Sequence, residues 1–499
     1  MKSFIKLNFQ KSKINTSINL DLEGDQQDCP TGGISKTEID APIGKNENGT
    51  ETETEGLNEI VEEEDRKMDI AINQTLEMCK TFLFPLLSLI SRSFNVFDFK
   101  EIFTNKKTNH LIISILVDKI DLNNDNHNII ISIMNNIIDN NAEIVNNIRE
   151  IYSIAPAHKL RNLIEQHFIP TASEKQDNAE VPTPVKLVYD MLNKIPDELW
   201  RSPHRVFEPC CGKGNFVLGI FDKFYHGLKD LYPDEIERCR IIMTECIYYA
   251  DLTTLNVFIT TELLKCHIQS YNGLDELDYE FNSYEGNTLE LDINDTWNIN
   301  GFHAIIGNPP YNDKQKNTGK KGGGDLLWNK FVDISLDKFL LPKGLLIFVH
   351  PPGWRKPDSA NSKYSGLFKK MTSTNQMVYL EIHDTKDGKK TFNCGTRYDW
   401  YVIENTPVYR STTIMSETST IYEYDLSKWN FLPNDNLDTI RSVLKTDNDD
   451  ACEIEFSTSN YETRKKWVQE VEDDNFKYPL IHSTPQKGNR IMYSSRNDN

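Results

Sequence analysis

The sequence predicts an α/β protein: a doubly wound, mainly parallel sheet of seven strands, preceded by a helical region and followed by a smaller module. Three observations carry this expectation. Beyond residue 180, short β-rich runs alternate with helical patterns. Two of those runs pass directly into FEPCCGKGNF (207–216) and IIGNPPYN (305–312), whose glycines and prolines punctuate strand ends. Before residue 168, by contrast, apolar residues recur only at helical spacing.

Residues 1–66 are polar and acidic without a sustained apolar period, which predicts a disordered tail. From 67 to 175 a helical region is expected, its period clearest in Ile130, Ile133, Met134, Ile137, Ile138, Ile144, Val145 and Ile148. The sheet domain spans 176–425, with strands at 205–210, 241–246, 303–308, 344–350, 377–384 and 399–405 and a weaker one at 283–288. The clearest helix between them is DLLWNKFVDISLDKFLL (325–341), with Leu327, Phe331, Ile334, Lys338 and Leu341 on one face. Residues 426–499 show a weaker pattern and form a small C-terminal module.

Bulk composition narrows the function classes. The 499 residues hold nine cysteines, an odd count with no CxxC pair, so neither a disulfide framework nor a zinc site is expected and no metal is assigned. The run TFLFPLLSLI (81–90) is too short to span a membrane and is interrupted by Pro85, and MKSFIKLNFQ lacks an apolar signal region. A cytoplasmic protein is expected. The formal charge of -20 hides an asymmetry: residues 1–66 carry 7 Lys and Arg against 15 Asp and Glu, whereas residues 311–400 carry 16 against 9. The basic stretch follows GNPPYN, where it serves either phosphate binding or an ordinary solvated surface.

In FEPCCGKGNF a strand runs into Gly212 and Gly214, which permit positive φ and close approach of a ligand. Neither the P-loop pattern nor G-x-G-x-x-G fits, because Val217 stands at the third glycine. A tight turn is the plain reading. Some thirty residues later Glu245 closes the expected strand IIMTEC, where an acid accepts hydrogen bonds from ribose hydroxyls. Loop and acid together point to a nucleoside-bearing cofactor without a pyrophosphate.

GNPPY is the sharper signal. Pro309 and Pro310 carry no N–H and stiffen the chain, so the Asn308 amide oxygen and the following proline carbonyl can converge on one amino group. Two acceptors aimed at an NH2 on a planar ring free its lone pair for attack on an electrophilic methyl, and no strong base is required. Tyr311 can stack on that ring, worth about 1–3 kcal/mol.

These residues resemble the S-adenosylmethionine-dependent amino-methyltransferases, and most nearly the DNA adenine-N6 methyltransferases of restriction-modification type, over about residues 180–410 and more loosely at the C-terminus. The resemblance implies a Rossmann-like methyltransferase sheet. It implies S-adenosylmethionine as cofactor, held by Phe207, Glu208, Pro209, Cys210, Gly212, Gly214, Asn215 and Phe216 of the glycine loop. VPTPVKLVYDML (181–192) is similar to the helix that touches the methionine end, which points to Thr183 and Pro184. Glu245 would hold the ribose. Asn287 and Thr288 of GNTL stand near the cofactor adenine, with Asn287 where the family has an acid. Asn308, Pro309, Pro310 and Tyr311 are the implied catalytic residues.

DNA is the implied partner, with the target adenine flipped out of the duplex. FNCGTRYDWYVIE (392–404) resembles the final strand hairpin and base pocket, offering Phe392 or Tyr398 as a second stacking face. TGKKGGGD (318–325) reads as a lid or as a surface connection. The pattern near PLIHSTPQKGNRIMYSS (479–495) continues further in similar proteins, so a shortened target-recognition region is expected. RNA adenine and protein glutamine are alternative substrates of the same pocket chemistry. A catalytically silent binding subunit would be expected to lose Asn308, Tyr311 or the glycines, and all are present.

Overall fold

The structure, a computed structural model, describes residues 77, 79–120, 127–168, 182–271, 280–311, 326–357, 362–444, 466–481 and 491–496. The expected acidic tail, TGKKGGGD and the middle of PLIHSTPQKGNRIMYSS lie outside these residues. The chain forms two compact units, residues 1–435 and 436–499.

The first unit opens with the expected helices: α1 (Phe84–Phe94), α2 (Phe99–Thr104), α3 (Lys106–Ile120), α4 (His127–Asn140), α5 (Ala142–Ile154) and α6 (Ala157–His167). TFLFPLLSLI supplies the start of α1, where Pro85 in the first turn needs no hydrogen-bond partner for its missing N–H. From Phe82 to Ile90 the run is buried in the protein core, and among the described residues no helix is long and apolar enough to cross a membrane. Met134, Ile138 and Val145 are buried, as their spacing predicts. Arg92 of α1 donates to the carbonyls of Tyr152 and Ala155 at 2.8 and 2.7 Å and reaches Cys266 Sγ at 3.3 Å, which fastens the helical region to the sheet domain. One hydrophobic core runs through both.

The sheet has nine strands in the order β3-β2-β1-β4-β5-β7-β6-β8-β9. They are β1 (Val206–Glu208), β2 (Ile247–Asp251), β3 (Asn282–Glu285), β4 (Phe302–Gly307), β5 (Leu340–His350), β6 (Gln376–His383), β7 (Tyr398–Glu404), β8 (Thr412–Met415) and β9 (Ile421–Tyr424). β3, β2, β1, β4 and β5 are mutually parallel, and β7 lies antiparallel between β5 and β6. The main helices of the domain are α7 (Val185–Leu192), α8 (Asn215–Gly227), α9 (Glu235–Ile241), α10 (Thr254–Gln269), α11 (Trp328–Ile334) and α12 (Thr385–Phe392). This is the doubly wound architecture expected from the sequence.

Three details differ. Two more strands, β8 and β9, extend the β6 edge; they are four residues each, too short and too polar to stand out. The strand expected at 241–246 is instead the end of α9 and a wide helical turn (Ile242–Cys246), and β2 begins at Ile247. The helix expected through 341 stops at 339, so Leu341 lies in β5 rather than on a helical face.

All parallel strands finish at one edge, and β1 has neighbours on both sides that leave in opposite directions along the sequence. Ligands of open α/β sheets bind outside that point. The second unit is a three-stranded antiparallel sheet in the order β10-β12-β11, from β10 (Val468–Gln469), β11 (Tyr478–Ile481) and β12 (Ile491–Ser494). The Arg496 guanidinium lies 4.6 Å from the Trp467 ring centre.

Candidate active site

Gly212 and Gly214 adopt φ of 50° and 79°, a left-handed conformation that strains other residues. A Cβ on Gly214 would lie 3.0 Å from Thr260 Cγ2, whereas one on Gly212 would meet nothing within 4 Å among the described residues. The loop closes tightly against α10 and stays open above Gly212. Gly214 then starts α8, whose first residue is Asn215.

The acid that holds this loop is Asp251, the last residue of β2. Its Oδ2 accepts from the Gly212 amide at 2.9 Å. Its Oδ1 accepts from the Thr253 amide and hydroxyl and from Asn256 Nδ2 at 3.0, 3.1 and 3.1 Å. Burial raises the Asp251 carboxyl above the usual range, and these donors pull it back toward the ion. Glu245, expected at the strand end, is exposed on the turn before β2, six residues short of that place. The apolar run IIMTECIYYAD contains both acids, and the helical turn absorbs its first half.

Glu208, the last residue of β1, is buried and its carboxyl is raised well above normal, first by burial and then by the charge of Asp251. Its Oε2 makes no hydrogen bond among the described residues. The Cys210 thiol is likewise pushed up by burial and both carboxylates, so it is no thiolate nucleophile. Thr288 Oγ1 donates to the Pro209 carbonyl at 2.8 Å and braces the loop. The Asn287 side chain caps its own turn, accepting from the Leu289 amide at 3.1 Å and donating to Glu290 at 2.7 Å. Phe207 and Phe216 point into the core; Phe207 stacks on Phe302 with ring centres 4.6 Å apart.

GNPPY follows β4, beside β1 in the sheet. A Cβ on Gly307 would lie 3.5 Å from the Pro209 ring and 3.7 Å from Glu208 Cγ, so the two motifs are in contact distance. Asn308 Nδ2 donates to Thr183 Oγ1 at 3.1 Å, and the Thr183 carbonyl accepts from Asn215 Nδ2 at 2.9 Å. Thr183, immediately before Pro184 and α7, thereby joins the Thr-Pro segment, the glycine loop and GNPPY. Tyr311 is half-buried, and burial raises its hydroxyl far above normal while a hydrogen bond with Asn308 opposes the shift. His350, at the end of β5, is pushed down to about 3 by burial; its Nδ1 faces the Pro351 carbonyl and its Nε2 faces the Tyr401 hydroxyl. It is therefore neutral, and it stacks on Trp328 with ring centres 3.8 Å apart.

Residues 245–392 match the family model of the Eco57I restriction-modification methylase. The matched segment contains Asp251, Asn287 and the whole of GNPPY. It bears out the resemblance to a restriction-modification, S-adenosylmethionine-dependent methyltransferase. No curated protein matches the chain. Solved structures with similarity include the methyltransferase subunit of a type I restriction-modification system from Streptococcus thermophilus, at 12% identity and a TM-score of 0.39 over 60% of this chain and 61% of that one. A DrdV–DNA complex matches at 13% identity and TM-score 0.46 over 72% and 40%. The ATP-dependent type ISP enzyme LlaBIII bound to DNA matches at 14% and 0.47 over 68% and 26%. The chain thus spans about a quarter to three fifths of the lengths of these proteins.

The residues present fit S-adenosylmethionine. The unsatisfied Glu208 oxygen and the buried Asp251 suit a cationic ligand, and the space above Gly212 admits one. Of the second stacking faces, Tyr398 is buried, with His383 parallel to it at 4.3 Å and Phe392 against its edge at 4.9 Å. Phe392 is half-buried. Asp251 had a sequence signal, an acid closing YYAD; Thr260 and Arg161, which donates to Asn215 Oδ1 at 2.6 Å, had none.

Proposed function

We propose that this chain transfers a methyl group from S-adenosylmethionine to the N6 amino group of adenine in DNA, with the base flipped into the pocket beside GNPPY. The observation that carries the reading is the hydrogen bond from Asn308 Nδ2 to Thr183 Oγ1. It holds the Asn308 side chain against the Thr-Pro segment, which also contacts the glycine loop, and the amide oxygen is the first acceptor for an amine that enters beside GNPPY. The Pro309 carbonyl is the second acceptor, and Tyr311 offers its ring to the base. Bound cofactor supplies the electrophilic sulfonium methyl.

The chain's own groups account for the rest. Glu208 and Asp251 offset a cation near the glycine loop, and Asn215 and Thr183 hold the catalytic amide. His350 is neutral and already hydrogen-bonded on both ring nitrogens, so it does not take up the proton released from the amine. DNA as substrate is supported by Lys386, Lys389 and Lys390, exposed on α12 directly after β6, where they can meet phosphates. Arg355, Lys370 and Arg397 of the same basic stretch are already paired with Asp399, Asp333 and Glu417.

The test is transfer of labelled methyl from S-adenosylmethionine to duplex DNA, RNA and protein in parallel, followed by nucleoside analysis. N6-methyladenine in DNA is expected. Label found only in RNA or protein would replace the substrate, and no transfer to any of them would sink the reading.

A further inference from the structure

We propose that Arg161, on α6 of the helical region, is a positioning residue for the catalytic amide; the inference rests on the function proposed above. Three hydrogen bonds connect them. Arg161 Nη2 donates to Asn215 Oδ1 at 2.6 Å, Asn215 Nδ2 donates to the Thr183 carbonyl at 2.9 Å, and Asn308 Nδ2 donates to Thr183 Oγ1 at 3.1 Å.

The direction of each bond gives the relay its meaning. A side-chain amide can be turned end for end at little cost unless one end is claimed. The guanidinium carries only donors, so it accepts nothing from Asn215 and selects the orientation in which Oδ1 faces α6 and Nδ2 faces Thr183. A charge-assisted bond is also stronger than a neutral one. With its carbonyl held, Thr183 cannot rotate its peptide plane, and Pro184 after it already restricts its backbone. Its buried hydroxyl is thus fixed toward Asn308.

The anchor at the other end is firm. Leu160 and Ile164 flank Arg161 on α6 and are buried in the core that continues into the sheet domain. Glu165 lies 3.4 Å from Arg161 Nε and orients the guanidinium. The helical region therefore completes the active site from behind, through a charge that the methyltransferase sheet itself does not supply.

Arg161→Ala and Arg161→Lys in the full chain test this. Misplaced catalytic groups cost up to about a hundred-fold in rate. Arg161→Ala is expected to lower kcat roughly ten-fold or more, with the Kd for S-adenosylmethionine changed less than about three-fold, and Arg161→Lys to recover part of the loss. Adding Arg161→Ala to Asn215→Ala should cost little further, because the relay is already cut. In a crystal structure of Arg161→Ala the Asn308 amide should have left Thr183 Oγ1. Unchanged kcat, additive losses in the double variant, or an intact Asn308 contact would each overturn the inference. So would a fall in Tm and a rise in cofactor Kd in step with kcat, the signature of a merely structural arginine. A wild-type chain that methylates nothing defeats the functional reading instead, and the position of the Asn308 amide then decides this inference alone.

Discussion

The carboxyl edge of the sheet has two unlike halves. β1, β2 and β3 end on Glu208, Asp251 and Glu285, three carboxylates in a row, whereas β5 and β6 end on His350 and His383. The acidic half is closed by the glycine loop. The imidazole half is lined with rings: His350 lies on Trp328 and His383 on Tyr398. Asn308, after β4, stands at the boundary. In the first half Glu208 and Asp251 are buried and Glu208 keeps an unsatisfied oxygen, whereas the buried carboxylate of the second half, Asp399, is paired with Arg355. The first suits a cation, and rings beside the neutral His350 suit a flat, uncharged group. Under the function proposed above, a methyl donor and a nucleobase differ in that way, and the boundary is where the methyl would pass between them.

The most damaging way to break this contrast is at the boundary itself. Asn308→Ala removes the acceptor and is expected to cost about 10²–10³-fold in kcat, on the scale of one lost transition-state hydrogen bond. Cofactor Kd, measured by calorimetry, should stay within a few-fold of wild type.

On the acidic half, Asp251→Ala strips the Gly212 amide, Thr253 and Asn256 of their common acceptor. Affinity for S-adenosylmethionine should fall by at least about ten-fold, or roughly 1.4 kcal/mol, with a lower Tm.

On the imidazole half the expected effect is smaller and depends on pH. In the unfolded chain His350 takes up a proton below about pH 6.5. In the fold burial holds its pKa near about 3. The contribution is therefore complete above about pH 6.5 and is lost as pH falls toward 3, at no more than about 1.4 kcal/mol per unit. Wild-type Tm should drop between pH 6.5 and 5, and the slope should be shallower in His350→Gln. Equal slopes would mean that His350 is protonated in the fold. The smallest effect sharpens the acidic half: Glu245→Ala should leave cofactor Kd unchanged, since that side chain lies exposed on the turn before β2. A clear loss would return the ribose to Glu245.

Much of this was legible without coordinates. Alternating strands and helices gave the doubly wound sheet, and GNPPY and CGKGN marked two strand ends because proline and glycine act through their own backbones. The choice between Glu245 and Asp251 was not legible. IIMTECIYYAD is apolar on both sides of the first acid, and a short apolar run fits a buried helical turn as well as a strand. β9 escaped for a related reason, since an edge strand needs few apolar residues, and β8 beside it is only four residues long.

The sequence by itself determined the local chemistry: which residues turn, which cannot donate a hydrogen bond, and which side chain offers an amide after a strand. Only the tertiary structure decided their company. Thr183 and Asn308 lie 125 residues apart, and Arg161 meets Asn215 across 54. Such partners leave no periodicity in the chain, because a hydrogen bond depends on distance in space and its residues are chosen by how helices and strands pack.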